Sequence, residues 1–128
     1  MPKTALLIED DQFTLEMYTR QFEKSGYRVI TARDGIQGLK TIFEKKPDFV
    51  LLDIMLPKMD GVTVLEKLRQ KEKETKQPPI PVILLTNLGQ ESILDRCVKL
   101  GIIGLLIKSR FTPLEVVKKV KSLLSGEE

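Results

Sequence analysis

The stretch KPDFVLLDIMLPKMDG (46–61) ends an apolar run on a carboxylate, Asp53, and follows it with a loop marked by Pro57 and Gly61. Three other apolar runs end on reactive side chains in the same way: TALLI (4–8) leads into Glu9, Asp10 and Asp11, VILLT (82–86) ends on Thr86, and GLLIK (104–108) ends on Lys108. Each has an ordinary structural use, since Asp is a common turn residue, a β-branched Thr suits a strand, and a lysine suits a solvated strand end. Agreement at four run ends is a stronger signal than any one of them. Carboxylates that converge repel one another and disfavour joint ionisation, so a cation belongs among them. Oxygen-only ligation with few protein ligands suits Mg²⁺, which keeps several waters and accepts one or two carboxylates together with phosphate oxygens. An Asp nucleophile, a divalent cation, a hydroxyl donor and a lysine are the parts that receive a phosphoryl group and hold it as an acyl phosphate.

The elements that must bring these side chains together are legible in the hydrophobic pattern. Five short runs recur at regular intervals: TALLI (4–8), YRVITA (27–32), FVLLD (49–53), PVILLT (81–86) and GLLIK (104–108). The first, third, fourth and fifth are continuous rather than alternating, which predicts strands covered on both faces. Between and after them lie stripes at helical spacing: Leu15, Tyr18 and Phe22; Ile36, Leu39 and Phe43; Leu65 and Leu68; Leu94, Cys97 and Val98; Val117, Val120 and Leu124. Gly26 and Gly101 stand where the first and fourth helices should stop. Thr112-Pro113-Leu114-Glu115 opens the last helix with a cap, a proline at the first helical position and a glutamate three residues after the cap. The longest irregular stretch is placed at 73–79, as a surface connection. A (βα)5 alternation predicts a three-layer α/β/α fold with a parallel sheet of flavodoxin-like order 2-1-3-4-5. Ligands in such sheets sit beyond the carboxyl ends of the strands where the order reverses, here between the first and third strands, so Asp53 and at least two of the acids at 9–11 should share a crevice.

Length and composition narrow the class. The 128 residues predict one domain spanning 1–128. The N-terminal apolar run is too short for a secretion signal, and no run approaches the roughly 20 residues that span a bilayer. A cytoplasmic protein without membrane contact is expected. The single cysteine, Cys97, is expected to be a small buried hydrophobe. The charge of +3 is spread among acids, as in LEKLRQKEKETK (65–76), which predicts a solvated helix face rather than a nucleic-acid groove. There is no histidine, which excludes a Ser-His-Asp triad and histidine-bound zinc.

LLIEDD (6–11), PDFVLLDIMLPKMDG (47–61), VILLTN (82–87) and GLLIK (104–108) together resemble the receiver domain of two-component response regulators, along nearly the full length of the chain. The resemblance implies that Asp53 accepts a phosphoryl group, and that Glu9 and Asp10 hold Mg²⁺ together with Asp53 and the backbone carbonyl of Met55. Asp11 is not a principal ligand in the family's pattern. Lys108 would pair with the phosphoryl group and Thr86 would swing to hydrogen-bond it. The implied donor is a phosphohistidine on a sensor histidine kinase or a histidine phosphotransfer protein, which fits a chain without histidine. The implied output is a changed surface that meets a downstream protein or effector domain, with exposed residues of the fourth and fifth helices the place to look.

The chain departs from the family's pattern around the fifth run. Leu105 stands where an aromatic switch residue is usual, Ser109 where a proline in a cis bond usually aims the lysine, and Asn87 where a small residue usually follows the threonine. A cis bond without proline costs about 2.5–4 kcal/mol, so the Lys108–Ser109 bond is expected to be either trans or strained. Two other functions compete with phosphoryl acceptance. One is a receiver-like module that binds partners without phosphorylation. The other is an Mg²⁺-dependent phosphohydrolase with an Asp nucleophile, but such enzymes place a second acid two residues on, where this chain has Met55.

Overall fold

The computed structural model describes residues 2–87 and 91–126. The elements run β1 (Thr4–Ile8), α1 (Gln12–Lys24), β2 (Arg28–Ala32), α2 (Gly35–Lys45), β3 (Phe49–Leu52), α3 (Gly61–Thr75), β4 (Val82–Thr86), α4 (Glu91–Leu100), β5 (Gly104–Ile107) and α5 (Pro113–Ser125), with a 3-10 turn at Lys108–Arg110. All strand pairs are parallel, and the order β2-β1-β3-β4-β5 is the one the alternation predicts.

Side chains of one strand point alternately to the two faces, and each face has its own core. Leu6 and Ile8 of β1 join Leu52, Val64, Leu65 and Cys97 beneath α2, α3 and α4. Ala5 and Leu7 join Phe22, Phe49, Ile83 and Val117 beneath α1 and α5. Cys97 is buried, as expected of a small hydrophobe. The predicted punctuation is present: Gly26 and Gly101 have φ of +95° and +100°. Thr112 and Glu115 form a reciprocal capping box at the start of α5.

Four expectations are corrected. On α2 the predicted stripe fails, because Ile36 is 52% exposed and Phe43 is exposed too. The buried face carries Gly35, Gly38 and Ile42 instead. Gly38 is the reason: a Cβ there would lie 2.6 Å from Ile8 Cδ1, so the missing side chain lets α2 close on β1. On α4, Cys97 is buried but Val98 is exposed. The fifth strand is not covered on both faces. It is the sheet edge, Leu106 alone of its residues is buried, and Leu105 is 37% exposed. Finally, α3 continues to Thr75, into the stretch expected to be irregular, and its charged run is not uniformly solvated. Arg69 and Glu72 are tucked inward as an ion pair at 2.7 Å. The Arg69 guanidinium also donates to the carbonyls of Leu100, Ile80 and Gly101, while Glu72 accepts from the Ile80 amide at 2.7 Å. The pair joins the end of α3 to the segments entering β4 and β5.

Candidate functional site

The acids converge because parallel pairing continues one residue past the strand ends. The Glu9 amide donates to the Ala32 carbonyl and the Asp53 amide to the Ile8 carbonyl, each at 3.1 Å. This sets Glu9 and Asp53 side by side at the carboxyl edge of β1 and β3. Carboxylate oxygens of Glu9, Asp10 and Asp53 lie within 4.8 Å of one another. Glu9 and Asp53 are buried and Asp10 is exposed. Asp11 turns away: its carboxylate accepts from the amide and hydroxyl of Thr14 and caps α1.

Lys108 reaches back from the end of β5. Its Nζ donates to Asp53 Oδ2 at 2.7 Å and to Glu9 Oε1, so one ammonium bridges both buried acids. The remaining oxygens are also engaged, Glu9 Oε2 by the Asp11 amide at 2.9 Å and Asp53 Oδ1 by the Met55 amide at 3.2 Å. Burial pushes the Glu9 carboxyl above its ordinary range, and the Lys108 hydrogen bond only partly offsets this. Burial also works against the charge on Lys108. Hydrogen bonds to Asp53 and Glu9 outweigh it, and the ammonium titrates above the ordinary lysine value.

The other two expected positions fall on the same edge. Thr86 is buried at the end of β4, paired with Ile107, the residue before Lys108. Met55 lies on the loop after β3 with its side chain 72% exposed. That loop is shaped by its glycine and its turns. The Gly61 amide donates to the Ile54 carbonyl at 2.8 Å, and a Cβ on Gly61 would fall 2.3 Å from the Asp53 carbonyl oxygen. Pro57 accepts from the Met59 amide at 2.7 Å, and Asp60 then caps α3 through the Thr63 amide. The Lys108–Ser109 bond is trans, and the chain after Lys108 turns in the 3-10 segment.

Arg33 was not anticipated. Its guanidinium donates to the Asp10 carbonyl at 2.8 Å, fixing the backbone of an acid at the site from the β2–α2 loop. A lone arginine in the loop sequence ARDG gives no sign of that reach.

The donor set suits a hard divalent cation: three carboxylates, oxygen only, no histidine, and two of the acids buried with a single ammonium between them. No described helix is long and apolar enough to cross a membrane.

Comparison with known proteins agrees with this geometry. The family model described as response regulator receiver domain matches residues 5–121. The chain is 36% identical over its whole length to the alkaline phosphatase synthesis transcriptional regulatory protein PhoP of Bacillus subtilis, of which it covers 51%. Among solved structures, a putative response regulator from Chloroflexus aurantiacus superposes with a TM-score of 0.82 at 31% identity, with 98% of this chain and 99% of that one covered. A CheY-like receiver domain protein from Methanospirillum hungatei gives 0.87 at 25% identity, with 98% and 96% covered. The chain spans about half the length, or less, of the first transcriptional regulators it matches. With the sheet order, the converging acids and the family match in agreement, the chain belongs to the response regulator receiver domains of two-component signalling.

Proposed function

We propose that residues 1–128 act as one receiver unit that accepts a phosphoryl group on Asp53 in an Mg²⁺-dependent reaction and signals by altering a partner-binding surface. The observation that carries this reading is the bridging of Glu9 and Asp53 by Lys108 at the strand edge, with Asp10 beside them. Glu9, Asp10, Asp53 and the Met55 carbonyl would hold the metal. When bound, Mg²⁺ supplies positive charge that offsets the acids and the phosphoryl oxygens. The chain's own residues supply the rest. An Asp53 carboxylate oxygen forms the new bond to phosphorus as the donor's bond to its imidazole nitrogen breaks, and the imidazole keeps the bonding pair. Lys108 would pair with the phosphoryl oxygens, and Thr86 would donate its hydroxyl to one of them. The added charge of roughly −2 is what biases the surface.

The donor would be a histidine kinase or phosphotransfer protein, the recipient of the signal a downstream protein or effector domain, and the setting the cytoplasm. A second reading, constitutive binding without phosphorylation, is favoured by Leu105, whose exposed aliphatic side chain has no ring to turn inward. The phosphohydrolase reading lacks an acid at position 55. Intact mass after incubation with acetyl phosphate separates the first two. A gain of one phosphoryl group that needs Mg²⁺ and is lost in Asp53→Asn supports the acceptor. Mg²⁺ binding with no gain supports the constitutive module.

A further inference from the structure

The amino-terminal edge of the sheet, opposite Asp53, carries an open groove of about 930 Å³ between the end of α3 and the α4–β5 turn. Its wall is apolar: Pro78, Pro79, Ile80, Leu100, Ile102 and Ile103. Pro78 and Pro79 are exposed, and Ile103 is 39% exposed. Prolines carry no amide hydrogen, the Ile80 amide is taken by Glu72, and the Ile103 amide by the Val82 carbonyl. The wall therefore presents apolar surface with few competing donors.

The charge on the groove has one sign. Arg69 and Glu72 line it, but they spend their charges on each other and on the backbone. Lys73, Lys76 and Lys99 also line it, and among the described residues none of the three forms an ion pair. Lys73 and Lys99 fall in the last turns of α3 and α4, where cations suit the helix carbonyls. That accounts for each separately. It does not account for their meeting, with Lys76, around an exposed apolar wall that no acid answers.

The shape favours a chain over a compact molecule. On the other flank of the Pro78–Pro79 ridge lies a second groove of about 590 Å³, with Phe43 in its wall and Lys46, Lys71 and Asp48 at its rim, the Asp48 carboxylate being engaged by the Thr4 amide at 2.6 Å. An extended segment crossing the ridge meets apolar surface and ammonium groups on both sides. We propose that these paired grooves dock an acidic peptide segment with apolar side chains, supplied by a partner protein. Apolar burial would supply affinity, and the lysines would supply orientation and fast encounter. The site is independent of the phosphoryl pocket, so Asp53→Asn should leave it intact.

The test is selection of a displayed random-peptide library on the full chain, with a parallel selection on Lys73→Glu/Lys76→Glu/Lys99→Glu. The expected result is enrichment, on the unmodified chain only, of peptides rich in Asp, Glu and apolar residues. Synthetic versions should shift the backbone amides of 73–77, 80 and 99–103 and bind the triple variant at least about tenfold more weakly, about 1.4 kcal/mol. Ile103→Ser should also weaken them, and Asp53→Asn should not. If charge reversal unfolds the chain, the triple Lys→Gln variant replaces it. No enrichment over the variant, or enriched peptides whose shifts map elsewhere, would overturn the proposal. So would lysine-dependent retention on phosphatidylserine vesicles without acidic-peptide binding, which would assign the lysines to a membrane surface.

Discussion

At the residue scale, the loop that follows Asp53 depends on positions where a side chain would collide with backbone. Gly61 is one, because an added Cβ meets the Asp53 carbonyl oxygen and Ile54 Cα, both backbone atoms that cannot swing aside. Gly61→Ala should cost about 1–3 kcal/mol, by analogy with overpacking, and displace the loop carrying Met55. Urea denaturation checks the first, and a slower gain of mass from a phosphodonor checks the second. Two exposed caps set part of the acid stability. Asp11 is held below the ordinary carboxylate range first by the Thr14 hydroxyl and then by the Thr14 amide; Glu115 is held there first by the Thr112 amide. A carboxyl lowered in the folded state stabilises it fully above its unfolded pKa, and that contribution fades as pH falls through the folded value. The unfolded chain should therefore gain on the folded one from about pH 4 downward. Asp11→Asn with Glu115→Gln should flatten that part of a plot of urea midpoint against pH. An unchanged slope would show that the caps contribute nothing there. Such positions differ in how far the sequence reveals them. The positions of Asp53, Thr86 and Lys108 were legible because each ends or directly follows a strand, and strand ends are set by hydrophobic runs. Arg33 was not, because its partner is a backbone carbonyl 23 residues away that no spacing rule reaches.

At the element scale, the same contrast separates strands from helix faces. β1 has the predicted boundaries, and the other strands fall within a residue of theirs, since continuous apolar runs leave a parallel strand few alternatives. The inward face of α2 was misread because its contact is made by glycines, which carry no hydrophobic signal. The burial of Arg69 and Glu72 was hidden in a run of alternating charges. Their burial makes them strong determinants of stability. Arg69→Ala leaves the Glu72 carboxylate buried without its cation and should cost about 3–5 kcal/mol, a large share of a small domain's total. Lysine at 69 should recover only part of that loss, because an ammonium cannot replace the planar fork that reaches Leu100, Ile80 and Gly101 together. Equal stability of the alanine variant and the unmodified chain in urea would contradict this. At α5, Thr112→Ala removes the capping box and should cost about 0.5–2 kcal/mol.

At the scale of the whole molecule, the parallel sheet separates two edges with different chemistry. The carboxyl edge gathers Glu9, Asp10, Asp53, Thr86 and Lys108; the amino edge carries apolar grooves rimmed by lysines. The exposed Leu105 face lies between them on β5. Under the proposed function a phosphoryl signal would begin at the first edge, and Leu105 offers no aromatic ring to turn inward. The most direct test is to locate the phosphoryl group. Acyl phosphates are reduced by borohydride to alcohols, so after acetyl phosphate and Mg²⁺, reduction and peptide mapping should find homoserine at position 53. Without Mg²⁺, Asp should remain there. Homoserine at another acid, or aspartate alone at 53 in a chain shown to bind Mg²⁺, would contradict the assignment of Asp53 as the acceptor.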